Sequence, residues 1–261
     1  MPDDLPFARR DAIARRLSGG RPVVAASLAD EFGVSEDAIR RDLRALASEG
    51  RCRRVYGGAL PIPSPSMAVR MELDRDRKRS LARVAASELT GGELVFLDSG
   101  STNLAMVELL PGEASLTVVT NAVDIAAAAS RRPDLRLIMI GGVVDPTVGG
   151  CVDGSALLAV SRMRFDRAFL GACSVSAIGG ARAERFEDAT FKRAVLAAAR
   201  NSVVLATAEK FAGDAPHAVA ALSELDSLVL ERPQSSGGDH AAWVDALRAA
   251  GRPRLLFADP T

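Results

Sequence analysis

Apolar residues recur at helical spacing through the first fifty positions and in short solid runs afterwards. Ile13 and Leu17 share one face of a stretch from about Phe7 to Ser18, which stops at Gly19-Gly20. Leu28 and Phe32 lie four apart in a second helix from about Ala25 to Phe32, broken by Gly33. Ser35 is a good N-cap for a third, and the charges of Glu36 and Asp37 suit a helix N-terminus. That helix continues to about Ser48, with Ile39, Leu43 and Leu46 as its buried stripe, and Gly50 ends it. The next stretch, Arg51-Cys52-Arg53-Arg54-Val55-Tyr56-Gly57-Gly58, predicts a two-stranded ribbon carrying arginines.

The pattern then changes. Ala59 to Ser66 holds three prolines and two serines and reads as an extended linker. A charged helix follows from about Asp76 to Leu89. Beyond it, apolar runs at Leu94–Leu97, Leu116–Thr120, Leu135–Ile140, Arg167–Leu170, Ser202–Ala206, Leu228–Leu230 and Leu255–Phe257 predict strands. Helical stretches at Ala122–Ser130, Phe191–Arg200 and Ala241–Ala250 lie between several of them. Strands alternating with helices predict a parallel α/β sheet. The expected class is therefore α/β: a small helical N-terminal domain at 1–58, a linker at 59–75 and a larger parallel-sheet domain at 76–261.

Composition narrows the function classes. The 261 residues carry 33 basic and 33 acidic side chains, so the protein as a whole is not a polycation. Residues 38–56 nevertheless hold six arginines against Asp42 and Glu49, which predicts a localised polyanion contact. No apolar run approaches the ~18–20 residues of a membrane span, and no signal peptide is read at the start, so a cytoplasmic protein is expected. Cys52, Cys151 and Cys173 are odd in number and far apart, and there are two histidines, His217 and His240. A disulfide framework, a zinc module and a cofactor are not expected. Gly149 to Ser155 has the glycine spacing of a phosphate loop without its lysine and reads as a plain loop. His217 reads as a surface loop residue, and Cys173 as a small buried cysteine.

Helix, glycine-centred turn and capped helix are the grammar of a helix-turn-helix. Arg40, Arg41 and Arg44 would meet phosphates or guanine edges from the third helix, where a guanidinium fits O6 and N7. Arg53 and Arg54 would grip the flanking backbone, and Asp42 and Glu49 would orient arginines by pairing. The string Ala29-Asp-Glu-Phe-Gly-Val-Ser-Glu-Asp-Ala-Ile-Arg-Arg-Asp-Leu43, with Gly50 and Arg53-Arg54-Val55-Tyr56-Gly57-Gly58-Ala59, resembles the DeoR family of bacterial transcription regulators. The resemblance implies a winged helix-turn-helix on double-stranded operator DNA. It makes Ser35, Arg40, Arg41, Arg44, Arg53, Arg54 and Tyr56 the candidate DNA-binding residues. Cys52 stands where the family usually has a large aliphatic, and Tyr56 where it often has histidine.

The second domain carries its chemistry at strand ends. Leu94-Val-Phe-Leu-Asp98-Ser99-Gly100-Ser101-Thr102-Asn103 predicts a strand, a hydroxyl-rich loop and a helix that begins near Thr102, a geometry suited to an anion. Thr120-Asn121, Gly141-Gly142, Gly171-Ala172-Cys173 and Lys210 follow other predicted strands. Lys192 falls at the start of a predicted helix. Ligands of open α/β sheets bind beyond the carboxyl ends of the strands. The same positions extend the DeoR resemblance over nearly the whole chain, through Asp98 to Thr102, Val119-Thr-Asn121, Gly141-Gly142, Asp166-Arg-Ala-Phe-Leu-Gly171, Lys192-Arg193-Ala194 and Lys210-Phe211. The resemblance implies a domain folded like ribose-5-phosphate isomerase. It also implies a phosphorylated sugar or related effector, with the Asp98–Thr102 loop on the phosphate.

The candidate effector residues are Asp98, Ser99, Gly100, Ser101, Thr102, Thr120, Asn121, Gly142, Cys173, Lys192 and Lys210. Repression of carbohydrate catabolism genes, relieved by effector, is the family default, and a homodimer or homotetramer is expected on paired half-sites. The alternative is a phosphosugar isomerase-like enzyme with an accessory helical domain, its acid–base groups drawn from Asp98, Asp166, Glu187 or Lys210. The family often has Asp-Ser-Ser where this chain has Thr207-Ala208-Glu209, and it tends to have Glu where this chain has Thr190.

Overall fold

The computed structural model describes residues 6–18, 21–61, 67–212, 215–233, 239–250 and 253–259. The expected break at Gly19-Gly20 and the 62–66 part of the linker lie outside the described residues. The chain divides into two compact units, Met1–Leu73 and Asp74–Thr261.

In the first unit, helices α1 (Pro6–Ser18), α2 (Ala25–Phe32) and α3 (Glu36–Ser48) surround one core. Ile13, Leu17, Leu28, Ile39, Leu43 and Leu46 are all buried in it, as their helical spacing requires. Gly33 ends α2 in the left-handed region at φ 62°, and Ser35 caps α3, its Oγ accepting a hydrogen bond from the Ala38 amide at 3.3 Å. The unit is not all-helical. Strands β1 (Val23–Val24), β2 (Cys52–Val55) and β3 (Gly58–Pro61) form an antiparallel sheet in the order β1-β3-β2. The expected ribbon is thus three-stranded, and it runs on to Pro61 through residues read as linker. Gly58 permits this, because a Cβ there would lie 2.0 Å from the Val23 carbonyl oxygen. A short helix, α4 (Met67–Glu72), follows.

The second unit opens with α5 (Arg75–Ser87). Its main sheet consists of β4 (Leu94–Leu97), β5 (Thr117–Thr120), β6 (Arg136–Met139), β9 (Arg167–Leu170), β12 (Ser202–Ala206), β14 (Ser227–Glu231) and β15 (Arg254–Ala258). All pairings are parallel, in the order β15-β14-β12-β9-β4-β5-β6. Each of the seven predicted strands is one of these. Most of their residues are buried, which is why they read as continuous apolar runs without alternation. Helices α6 (Ser101–Met106), α7 (Val123–Ala129), α8 (Gly154–Ser161), α9 (Phe186–Ala198) and α10 (Asp239–Ala250) lie between strands. Phe96 of β4 packs on Phe165 and on Phe191 of α9, with ring centroids 5.1 and 6.0 Å away.

Three short antiparallel strands, β10 (Ser174–Ser176), β11 (Gly180–Ala183) and β13 (His217–Ala220), make a separate small sheet. A further antiparallel pair, β7 (Val144–Asp145) with β8 (Gly150–Cys151), lies between β6 and α8 in sequence. None of these strands is long enough to display a period.

The winding sets the switch point of the sheet. The chain starts the sheet at β4, adds β5 and β6 on one side, then returns to lay β9, β12, β14 and β15 on the other. The strand order therefore reverses between β4 and β9, and the loops after these two strands diverge there.

Candidate nucleic-acid interface and effector site

Arg44 on α3 and Arg53 and Arg54 on β2 are exposed, and their side chains have no hydrogen-bond or ion-pair partner among the described residues. Tyr56 is fully exposed in the two-residue turn between β2 and β3, where Gly57 supplies a φ of 79°. Arg40 is engaged: its Nη2 bonds Glu36 Oε2 at 2.6 Å, one helical turn back, and its Nη1 lies 3.5 Å from Asp37. Arg41 Nε donates to the Asp37 carbonyl at 3.3 Å. The expected orienting acids serve other arginines. Asp42 pairs with the buried Arg9 of α1 at 2.7 Å, and Glu49 with Arg10 and Arg51 at 3.8 and 3.5 Å. Arg9 is hidden in the sequence because α1 carries four arginines, and nothing local separates the buried one from the others. Ser35 is occupied by the cap described above.

In the second unit, β4 is followed by Asp98, which is fully buried. Its Oδ2 accepts a hydrogen bond from the Gly171 amide at 2.7 Å, across the point where the strand order reverses. Gly171 must be glycine, since a Cβ there would lie 2.7 Å from the Ser99 carbonyl oxygen and 3.1 Å from Asp98 Oδ2. Asn103 fastens the same junction, its Nδ2 donating to the carbonyls of Asp98 and Phe169 at 2.9 and 3.0 Å. Lys192 Nζ lies 3.4 Å from Asp98 Oδ2 and 2.5 Å from Asp188 Oδ1. Lys192 sits in the middle of α9, not at its start, and is buried. Asp188 was not singled out from sequence. Its i,i+4 spacing to Lys192 was visible, but that spacing is equally common on solvated faces.

Charge sets the protonation of this cluster. Burial pushes the Asp98 carboxyl up, to about 6, against the pull of Lys192 and with Asp188 adding to the rise. Burial pulls Lys192 down, but Asp98 and Asp188 outweigh it, so its ammonium is held above the ordinary value. Asp98 Oδ1 and Asn121 Oδ1 are both buried with no protein hydrogen-bond partner. Each is an acceptor without a donor, at the ends of adjacent strands.

Other candidates take different places. Ser99 and Thr102 are buried beside Asp98, and Gly100 and Ser101 are half-buried. At β5, Thr120 Oγ1 donates to the Leu97 carbonyl at 2.6 Å, and Asn121 Nδ2 to the Cys151 carbonyl at 3.1 Å. Gly142 is a packing residue beyond β6, with φ 147° and a Cβ position only 2.4 Å from Asp153 Oδ1. Asp153 caps α8, so the segment from Gly149 to Ser155 is β8 and a helix start, not a plain loop. Cys173 is exposed, not buried, because β9 ends at Leu170 and the chain leaves the sheet there. Lys210 lies in a one-turn 3-10 helix, Ala208–Ala212, which follows β12 and packs on β10.

The acid–base set of the enzyme alternative is not assembled. Asp166 precedes β9, so it lies at the amino end of the strand whose carboxyl end meets Asp98, and it accepts from the Leu94 amide at 2.9 Å. Glu187 is exposed and pairs with Arg185 at 3.6 Å. Among the described residues no cluster of His, Cys, Asp and Glu can hold a metal ion, and no helix is long and apolar enough to cross a membrane.

Three helices packed with an arginine-bearing wing, followed in the chain by an open parallel sheet with buried polar side chains at its strand ends, are the architecture of a DNA-binding protein with a ligand-sensing domain. Residues 9–64 match the DeoR-like helix-turn-helix domain, and residues 73–232 match the DeoR C-terminal sensor domain. The chain belongs to the DeoR family of transcription regulators. It is 32% identical to the HTH-type transcriptional regulator YgbI of Escherichia coli, over 87% of this chain and 90% of that one. It is 31% identical to the transcriptional regulator FruR of Bacillus subtilis, over 68% and 72%, and 28% identical to the glycerol-3-phosphate regulon repressor of Escherichia coli, over 79% and 83%. Among solved structures it is similar to ribose 5-phosphate isomerase A of Methanocaldococcus jannaschii, at 19% identity and a TM-score of 0.39, covering 53% of this chain and 55% of that one. The protein is a DNA-binding regulator, not an enzyme.

Proposed function

We propose that this protein represses genes of carbohydrate or polyol-phosphate catabolism in the cytoplasm, and that a phosphorylated sugar or related metabolite weakens its hold on the operator. The observation that carries this reading is the junction of Asp98, Gly171 and Lys192 where the strand order reverses. Buried acceptors there, Asp98 Oδ1 and Asn121 Oδ1, suit hydroxyl donors of a sugar. The adjoining loop at Ser99, Gly100, Ser101 and Thr102 offers small residues, hydroxyls and backbone amides to a phosphate. Thr120, Cys173 and Lys210 complete the proposed effector set, and Gly142 shapes the loop after β6.

On the DNA side, Arg41 and Arg44 read the major groove from α3, with Arg40 joining once it leaves Glu36. Arg53, Arg54 and Tyr56 hold the flanking backbone from the wing, and Ser35 fixes the start of α3. Paired chains, as a homodimer or homotetramer, place two such units on half-sites one helical turn or a multiple of it apart. The effector acts by binding the DNA-free state more tightly than the DNA-bound one.

Calorimetric titration of the full chain with glycerol 3-phosphate, ribose 5-phosphate, fructose 1-phosphate and inorganic phosphate tests this. One organic phosphate binds with at least tenfold preference over inorganic phosphate, and Lys210→Ala weakens it while leaving DNA binding intact. Binding of every compound no tighter than inorganic phosphate overturns the reading.

A further inference from the structure

Arg77, near the start of α5, gathers three carboxylates from three parts of the chain. Its Nε and Nη2 form a two-pronged pair with Glu231 at the end of β14, the Nη2 bond being 2.5 Å. Its Nη1 and Nη2 pair with Glu209 at 2.5 and 3.2 Å, and Nη1 also reaches Asp74 at 3.1 Å. Glu231 Oε2 further accepts from the Ala208 amide at 2.8 Å. Glu209 and Ala208 belong to the 3-10 turn that carries Lys210. Asp74 is the first residue of the sensor unit and follows directly on Leu73, the last of the DNA-binding unit. It holds the left-handed conformation at φ 53°, uncommon for a residue other than glycine.

One guanidinium therefore ties the Lys210 turn to the place where the chain passes from one unit to the other. The geometry is demanding. Two-pronged arginine–carboxylate bonds weaken steeply when a partner moves out of plane or beyond ordinary hydrogen-bond range. Glu209 and Lys210 share one turn, so a shift of that turn carries Glu209 with it. Arg77 then cannot serve Glu209, Glu231 and Asp74 in one geometry, and the fixed start of α5 is released.

We propose that Arg77 is the positioning residue that couples effector occupancy at the Lys210 turn to the chain entering the DNA-binding unit, with Glu209 as the link that moves. This rests on the reading of Lys210 as an effector residue. In this role Arg77 acts through the turn and through Asp74.

The chain supplies its own reporter. Its one tryptophan, Trp243, stacks on Phe211 of the same turn with ring centroids 3.9 Å apart. Trp243 emission therefore follows the turn whether or not DNA is present.

The experiment compares wild type with Glu209→Gln, which leaves the Arg77–Glu231 pair in place, and with Arg77→Lys, whose ammonium cannot fork between carboxylates. Glycerol 3-phosphate, ribose 5-phosphate and fructose 1-phosphate are added singly, and operator Kd and Trp243 emission are read together. Thermal melts verify that each variant is folded. In wild type, one compound shifts operator Kd about 5–150-fold and changes the emission. In Glu209→Gln the emission midpoint stays within threefold of wild type while the operator shift falls below twofold, and Arg77→Lys lies between. A Glu209→Gln chain that keeps the wild-type operator shift overturns the coupling role and leaves the sensor reading standing. A wild-type chain that answers none of the compounds, by either readout, overturns the sensor reading and this inference with it.

Discussion

Lys192 Nζ sits 3.4 Å from Asp98 Oδ2, and the two side chains are 4% and 0% exposed. This is a buried cation shared unevenly between two buried acids. Asp188 takes the closer contact at 2.5 Å, so Asp98 is under-compensated and its Oδ1 has no protein donor. Burying ions on these terms costs stability, and a buried ion pair is weak evidence of a stabilising role. The arrangement suits a site held ready for a ligand that brings its own donor.

Removing the cation exposes that cost. Lys192→Met leaves Asp98 and Asp188 buried without a counter-ion and is expected to lose about 3–5 kcal/mol of stability near pH 7.5. Adding Asp188→Asn recovers a large part of the loss. Urea unfolding of both variants checks this, and a loss below about 1 kcal/mol would place Lys192 in water.

The raised pKa of Asp98 sets a sign for pH. The folded carboxyl, at about 6, holds its proton at pH values where the unfolded one, at 3.8, has lost it. Between these values folding favours the protonated acid, so wild type loses stability from this group as pH rises through about 6. Asp98→Asn mimics the protonated form. Its stability relative to wild type is expected to grow from about pH 4 to about pH 6 and to be flat above 7. Urea midpoints across this range test it, and the opposite slope would mean that Lys192 holds Asp98 ionised.

The arginines divide by what holds them. Arg44→Ala removes a free side chain from α3 and is expected to cost about 1–3 kcal/mol of operator binding with relaxed specificity. Arg53→Ala is expected to weaken all DNA alike and to reduce the salt slope by about one. Glu36→Gln removes the closer of Arg40's two carboxylate partners and a charge that repels phosphate, so it tightens binding by roughly 0.5 kcal/mol. Anisotropy titrations at several salt concentrations separate the three. Weaker binding by Glu36→Gln would show that Arg40 works in its paired form.

Much of this molecule is legible in its sequence. The three N-terminal helices and the seven parallel strands announced themselves through period and continuous apolar runs. The short antiparallel strands of the second unit did not, because two to four residues cannot display a period. Lys192 shows the deeper limit. Its i,i+4 partner Asp188 was in plain view, but only the fold brings Asp98 from the end of β4 to close the cluster. Cys173 differs for another reason: a small apolar side chain reads as buried by its chemistry, and only the fold shows that the stretch between β9 and β10 leaves it exposed. Arg77 was invisible, since nothing local links it to Glu209 and Glu231.

The wing depends on one glycine. Gly58→Ala puts a methyl 2.0 Å from the Val23 carbonyl oxygen, so β1 and β3 must part. The change is expected to destabilise the first unit by about 1–3 kcal/mol and to impair DNA binding, with calorimetric sugar-phosphate binding unaffected. Limited proteolysis within residues 51–61 of the folded protein reads the loosened wing directly; unchanged protection there would contradict the expected break.

The central claim is that DNA binding and metabolite binding are coupled in one chain. Fluorescence anisotropy on the DNA upstream of its own gene measures this directly, near 0.15 M salt with non-specific competitor present. The account predicts tight, competitor-resistant binding that is released, about 5–150-fold, by one phosphorylated sugar or polyol of a panel and not by inorganic phosphate. Binding that competitor abolishes and that no compound alters would reduce the helix-turn-helix to a non-specific basic patch and contradict the account.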